Sequence, residues 1–239
     1  MKKISLLILP GWGSNSNRWQ RVKELIEKEG IEVLILNLPG FGIVTPFPNP
    51  WGRGEYINWI LEEIKKKNWE KFNLFGHSFG GGLAAKFASQ FPEKIEKLIL
   101  CAPAIIKRKS FKTYFFYWLS FFGKKFFTLP EIKKFYPLAQ KVVYKLAGAR
   151  DYYVADGTMK EVMKKIGKEE SLEGILEKIQ NPTLIIWGRK DDVLPLKDAF
   201  LIKGKIKNSE LKIIPKARHS PHRETPEDLA KLLIEFLKS

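Results

Sequence analysis

Ser78 sits in Gly76-His77-Ser78-Phe79-Gly80, a G-x-S-x-G pattern whose residue types suit a nucleophile. The apolar run Phe72 to Phe75 just before it reads as a short buried strand. Leu83, Ala84, Ala85, Phe87 and Ala88 just after it repeat at helical spacing, which places the serine on a sharp strand-to-helix turn. Glycines at 76 and 80 remove side chains that would clash where strand and helix approach, and a strained serine backbone exposes its hydroxyl. The helix that follows directs amide groups and its positive dipole end at charge developing beside that hydroxyl. The pattern alone is weak, because Gly and Ser are common in loops and a turn that only packs would look the same. Its position between a strand and a small-residue helix is what makes it informative.

A serine nucleophile needs a base and a carboxylate to orient that base. The chain has three histidines. His77 precedes the serine on the same turn and reads as pointing elsewhere. His219 and His222 both follow the apolar run Leu211 to Ile214. His219 lies nearer the strand end, with Pro221 stiffening the chain beyond it, and is the favoured base; His222, nearer the last helix, suits a structural or substrate-facing role. For the carboxylate, Asp191 and Asp192 compete in the loop Gly188 to Pro195, where an Asp often does no more than cap a turn. Three histidines and one cysteine at these spacings form no convincing zinc set, and no phosphate loop is present, so no metal or organic cofactor is expected.

The elements that must position these groups alternate along the chain. Strands are predicted at Lys3 to Leu9, Ile31 to Leu36, Phe72 to Phe75, Lys97 to Cys101, Thr183 to Trp187 and Leu211 to Ile214. Helices are predicted at Arg18 to Glu29, closed by Gly30, around Tyr56 to Ile64, after Ser78, and from Thr225-Pro226 onward. Such alternation implies a parallel sheet covered on both faces. It breaks between Ile105 and about Ile179, where only helical periodicity is found. Tyr114 to Phe122 is aromatic-rich, and Thr158 to Glu161 reads as a capping box on a helix closed by Gly167. The domain reading is therefore a core formed by residues 1–104 and 181–239, interrupted by an all-helical insertion at 105–180.

With 239 residues and 44% hydrophobic content, the chain has material for one substantial core. The basic start and apolar stretch of the N-terminus are cut off by Pro10-Gly-Trp-Gly13, short of a signal-peptide core, and no stretch approaches the roughly 18 apolar residues of a membrane-spanning helix. With the single Cys101 unable to form an internal disulfide, a cytoplasmic setting is expected. The net charge of +16 is mostly lysine spread over polar helix faces, and without a binding motif it predicts no nucleic-acid partner. Between Ile105 and Gln180 stand 16 Lys or Arg against 8 Asp or Glu, so the insertion carries half the net charge. Its aromatic run could pack the insertion onto the sheet, line an acyl pocket, or make weak contact with a membrane surface.

The chain resembles the α/β-hydrolase fold superfamily, in the small carboxylesterase group that includes pimeloyl-ester esterases and carbon–carbon bond hydrolases. The motifs that carry the likeness are Leu38-Pro-Gly-Phe-Gly42, Gly76 to Gly80, Gly188 to Pro195 and His219-Ser-Pro-His222-Arg-Glu-Thr-Pro-Glu227, and it covers nearly all the chain except the insertion. The order Ser78, Asp191, His219 is the order of that family's triad. By resemblance, the spacing from Gly188 and to Pro195 selects Asp191, and the His opening the last motif selects His219. The oxyanion hole is implied to use the backbone amides of Trp12 and Phe79, and the insertion to form a cap over Ser78. Pro10 departs from the pattern, standing where the family usually has His, which leaves open what braces that loop. Only nine residues precede Pro10, so a reduced sheet of about six strands, without the usual first hairpin, is expected. The implied activity is serine hydrolysis of a carboxylic ester or related acyl bond with a small, apolar acyl substrate. Carbon–carbon hydrolysis, acyl transfer, or ligand binding on a scaffold that no longer turns over are the alternatives. The oligomeric state is not read from the sequence.

Overall fold

The period-two pattern of the strands decides how the core divides. In a computed structural model, which describes residues 4–41, 49–107 and 157–239, six strands form one sheet: β1 (Ser5–Leu9), β2 (Glu32–Ile35), β3 (Phe72–His77), β4 (Ile95–Cys101), β5 (Thr183–Gly188) and β6 (Ser209–Ile214). Leu7, Leu9, Leu74, Leu98, Leu100, Ile185 and Trp187 point to one face. Leu6, Ile8, Phe75, Ile99, Cys101, Leu184 and Ile186 point to the other. Both faces of the central strands β1, β3, β4 and β5 are buried, which is why those strands read as continuous apolar runs rather than alternating ones.

The sheet is parallel throughout, in the order β2-β1-β3-β4-β5-β6. The six-stranded expectation is met. Helices α1 (Gln20–Glu27) and α7 (Pro226–Lys238) cover the Leu6 face through Val22, Ile26, Leu229, Leu233 and Leu237. Helices α2 (Arg53–Lys66), α3 (Ser78–Gln90) and α5 (Lys197–Lys205) cover the other. The remaining α-helices among the described residues are α4 (Gly157–Lys168) in the predicted insertion and the short α6 (Pro221–Glu224) after β6. Because β1 connects outward to β2 on one side while β3 lies on its other side, the order in which strands are added across the sheet reverses between β1 and β3. The crevice beyond the carboxyl ends of those two strands is where this topology places ligands.

The described part of the insertion returns against the start of α2. Glu169 accepts from the Arg53 amide at 2.8 Å and pairs with its guanidinium at 2.8 Å, both side chains largely buried. Lys165 meets Glu55, and that hydrogen bond is the main reason the Glu55 carboxyl titrates below its ordinary value. Residues 108–156, including the aromatic run Tyr114 to Phe122 and most of the predicted cap, lie outside the described residues. Two readings of local structure are corrected. Thr158 lies inside α4, which starts at Gly157 and runs past Gly167 to Lys168, so it is not the cap expected of a box with Glu161. One half of such a box occurs at α2 instead, where Glu55 Oε2 accepts from the Gly52 amide at 2.9 Å. Helix α5 was not anticipated: lysines at 197, 203 and 205 break up a short apolar face that consists of Ala199 and Ile202.

Candidate active site

Ser78 is the first residue of α3 and has φ +52°, a left-handed conformation that costs a non-glycine residue energy and that the surroundings must hold. They do so closely. A Cβ at Gly80 would collide with the carbonyls of Leu9 and Pro10, and one at Gly76 would fall 2.6 Å from Ala84 Cβ and 2.7 Å from Gly81 Cα. The two glycines let β1, β3 and α3 converge at the serine. The Ser78 carbonyl accepts from the Ala104 amide at 2.8 Å, fixing the turn from the β4 side.

The loops after β5 and β6 are tied together at their roots. The Arg189 amide donates to the Ile214 carbonyl at 3.0 Å and the Lys190 amide to the Ala217 carbonyl at 3.0 Å. This brings Asp191 beside His219. Asp191, whose side chain is fully buried, accepts from the amides of Val193 and Leu194 on Oδ1, both at 2.9 Å, and faces His219 Nδ1 at 2.9 Å with Oδ2. His219 Nε2 lies 3.0 Å from Ser78 Oγ. With a carboxylate accepting at Nδ1, that nitrogen carries the proton and Nε2 is the free base facing the hydroxyl. Asp192 points away and pairs with Arg218 at 2.8 Å in an exposed position. The structure thus places Ser78, His219 and Asp191 in one hydrogen-bonded chain and leaves Asp192 outside it.

His77, read from the sequence as pointing elsewhere, and His222, given a structural or substrate-facing role, both pack beside the triad. His77 Nε2 is 2.7 Å from the backbone carbonyl of His219, so it donates the proton, and its Nδ1 is buried without a partner. Burial, then the neighbouring His219, lowers its pKa from 6.5 to about 4. His222 is stacked on Trp19, with ring centroids 4.1 Å apart and planes 5° apart, and its Nδ1 is likewise unpartnered. Burial first, then His77, Arg223 and Arg18, lower its pKa to about 2. Both imidazoles are therefore neutral over the physiological range.

The first loop runs past the serine. Trp12 and Phe79, whose amides the resemblance implicates, meet edge to face at 5.3 Å between ring centroids. The Phe79 amide lies in the first turn of α3, where N–H groups have no intrahelical acceptor. With Pro10 in place of the usual histidine, the loop is braced by Asn37 Oδ1, which accepts from the Ser16 amide at 2.7 Å, and by Trp19 Nε1 donating to Ser14 Oγ at 3.4 Å. Asn37 was missed because a single polar residue at a strand end carries no motif.

Two cavities flank the serine. One, of about 270 Å³, is mostly apolar, lined by Trp12, Phe79, Ile106, Met163, Ile166 and Leu194 among others. The other, of about 410 Å³, opens on the His219 side and contains Ser78 itself. The turn after Asp191 divides them, with Val193 facing one and Leu194 the other. Among the described residues no group of His, Cys, Asp or Glu could hold a metal ion, and no helix is long and apolar enough to cross a membrane.

Comparison with known proteins agrees with this architecture. The alpha/beta hydrolase fold family model matches residues 4–226. Human monoacylglycerol lipase ABHD6 is 26% identical, covering 99% of this chain and 76% of its own. The pimeloyl-acyl-carrier-protein methyl ester esterase of Wigglesworthia glossinidia brevipalpis is 27% identical, covering 98% and 94%. The crystal structure of a membrane phospholipase A, a bacterial virulence factor, aligns with a TM-score of 0.76 at 23% identity over 99% of this chain and 79% of that one.

Proposed function

The chain belongs to the alpha/beta hydrolase fold family and is a hydrolase of that fold, and on that premise we propose that it is a serine hydrolase cleaving a carboxylic ester. The observation that carries this reading is the unbroken chain from Ser78 Oγ through His219 to the buried Asp191 carboxylate. Ser78 attacks the ester carbonyl while His219 Nε2 takes the hydroxyl proton. Asp191 holds the ring in that tautomer and stabilises the imidazolium, and the amides of Trp12 and Phe79 receive the oxyanion. His219 then delivers the proton to the departing alcohol, water enters, and the acyl-enzyme is hydrolysed by the same steps in reverse roles. The Val193 and Leu194 amides satisfy the second oxygen of the buried Asp191 carboxyl group.

The relatives named as lipase and esterase support an ester substrate, and the apolar cavity beside Phe79 suits its acyl chain. The predicted cap over Ser78, which residues 105–180 would form, belongs to the same proposal. The test is covalent labelling by a fluorophosphonate together with hydrolysis of p-nitrophenyl esters of graded acyl length. Ser78→Ala is expected to lose both. Turnover that persists in the alanine variant would refute the assignment.

A further inference from the structure

The two cavities are chemically unlike, and the mechanism assigns each a part of the substrate. An acyl group whose carbonyl oxygen faces the Trp12 and Phe79 amides extends into the apolar cavity those residues line. The leaving group must lie toward His219, which protonates it, and so occupies the larger cavity. That cavity is lined by three arginines, Arg18, Arg218 and Arg223, with Ser14, Ser220 and His222. Asp192 and Glu224 also line it: Asp192 is engaged by the Arg218 guanidinium, and Glu224 accepts from the Arg218 amide but keeps its charge, so the wall remains net cationic, with three guanidiniums against two carboxylates. Arg18 and Arg223 make no ion pair among the described residues. Both are close enough to His222 for their charges to act on it. His222 is itself only 4% exposed, with an unpartnered Nδ1, in the wall of the same cavity.

Resting on the proposed hydrolase chemistry, we infer that this cavity receives an anionic, phosphate-bearing leaving group, so that the preferred substrates are acyl esters of phosphorylated alcohols. The guanidiniums of Arg18 and Arg223, which make no ion pair among the described residues, can donate to several oxygens of a phosphate monoester at once. Ser220 adds a further polar residue at the cavity wall. A neutral alcohol would leave both arginines facing solvent and gain nothing from them, so selectivity belongs to the charge and not to the acyl chain.

The decisive measurement is kcat/KM for 1-hexanoylglycerol 3-phosphate against 1-hexanoylglycerol, which share an acyl group and differ in the phosphate. The wild-type protein is expected to prefer the phosphorylated ester about tenfold or more, with the preference shrinking as salt is raised. In Arg18→Gln/Arg223→Gln the ratio is expected to fall toward one. Lys178→Gln/Lys207→Gln, at two exposed lysines outside the cavity, should leave it unchanged and so controls for the loss of two charges. Equal rates on both esters, or a ratio indifferent to the arginine pair, overturns the inference while leaving the hydrolase reading intact. Binding to Ser78→Ala by calorimetry tests the cavity without turnover. Glycerol 3-phosphate should bind and glycerol should not, with the binding lost in the arginine pair. Inorganic phosphate binding as tightly as glycerol 3-phosphate would mean a free-anion site and would overturn the leaving-group assignment. Failure of the hydrolase reading shows separately, as absent labelling and no cleavage of either ester.

Discussion

Lowering the pH from about 7.5 to about 5 is expected to cost the fold roughly 4 kcal/mol through two buried imidazoles. His77 and His222 are each 4% exposed, and their folded pKa values lie at about 4 and about 2 against the ordinary 6.5. Below 6.5 the unfolded chain takes up a proton at each site while the folded protein does not. The unfolded state therefore binds more protons, and stability falls as the pH falls. Each site contributes about 1.4 kcal/mol per pH unit, or about 2 kcal/mol over the interval from 6.5 to 5. The contribution of His77 stops growing near pH 4, and that of His222 continues to about 2. Glu55 and Glu227 are held below the ordinary 4.5, so their own losses begin only under that value and do not enter this window. The assay is urea unfolding at half-unit pH steps, with ΔG plotted against pH. His222→Phe keeps a flat ring on Trp19 and removes the titration, so the slope between pH 6.5 and 5 should drop by about 1.4 kcal/mol per unit. A slope identical in wild type and His222→Phe would refute the claim that this buried ring resists protonation.

Substitutions at four positions probe the site. Asp191→Asn should lower kcat by roughly three to four orders of magnitude, because an amide in that position favours the wrong imidazole tautomer. Asp192→Asn, which disturbs only an exposed pair, should stay within a few-fold on neutral esters. His77→Leu removes the donor to the His219 carbonyl and should lower kcat about tenfold at nearly constant KM. His77→Gln, which can still present an N–H, should recover most of that, and equal losses in both would count against a positioning role. Gly80→Ala drives a methyl group into the Leu9 and Pro10 carbonyls, and its thermal melt should show a loss of about 3 kcal/mol or more, or no folding at all.

The sheet was legible in the sequence because its central strands are apolar on both faces and the strands are separated by elements of helical period. The turn at Ser78 was legible because strand, glycines and small-residue helix coincide there. Choosing Asp191 over Asp192 was not possible from the residues alone, since adjacent acids in a turn look alike, and it rested on likeness to a family. The coordinates show the physical difference: Asp191 receives two amides two and three residues ahead of it, while Asp192 faces solvent and Arg218. Asn37, the short helix α5 and the arginine-lined cavity had no local signal. The first two lack periodicity or motif, and the third is assembled from residues 18, 218 and 223, which are neighbours only after folding.

The arrangement also explains how a strained serine turn and a loop-borne histidine stay aligned. His219 is held to the β3 turn twice, by its ring to Ser78 Oγ and by its backbone carbonyl to His77 Nε2. It is held to the β5 loop twice more, by Asp191 and by the backbone bond from Lys190 to Ala217. A shift of the β6 loop large enough to break the Ser78 contact would also strip the His77 donor of its acceptor inside a buried site, which costs more than either bond contributes alone. Geometry at the reacting atoms is thereby tied to the rigid strand ends. The cavity walls, drawn from Arg18, Arg223, Met163 and Ile166 on separate elements, can vary without disturbing it. Substitutions in those walls should therefore change which ester is cleaved while leaving the fluorophosphonate reactivity of Ser78 nearly constant.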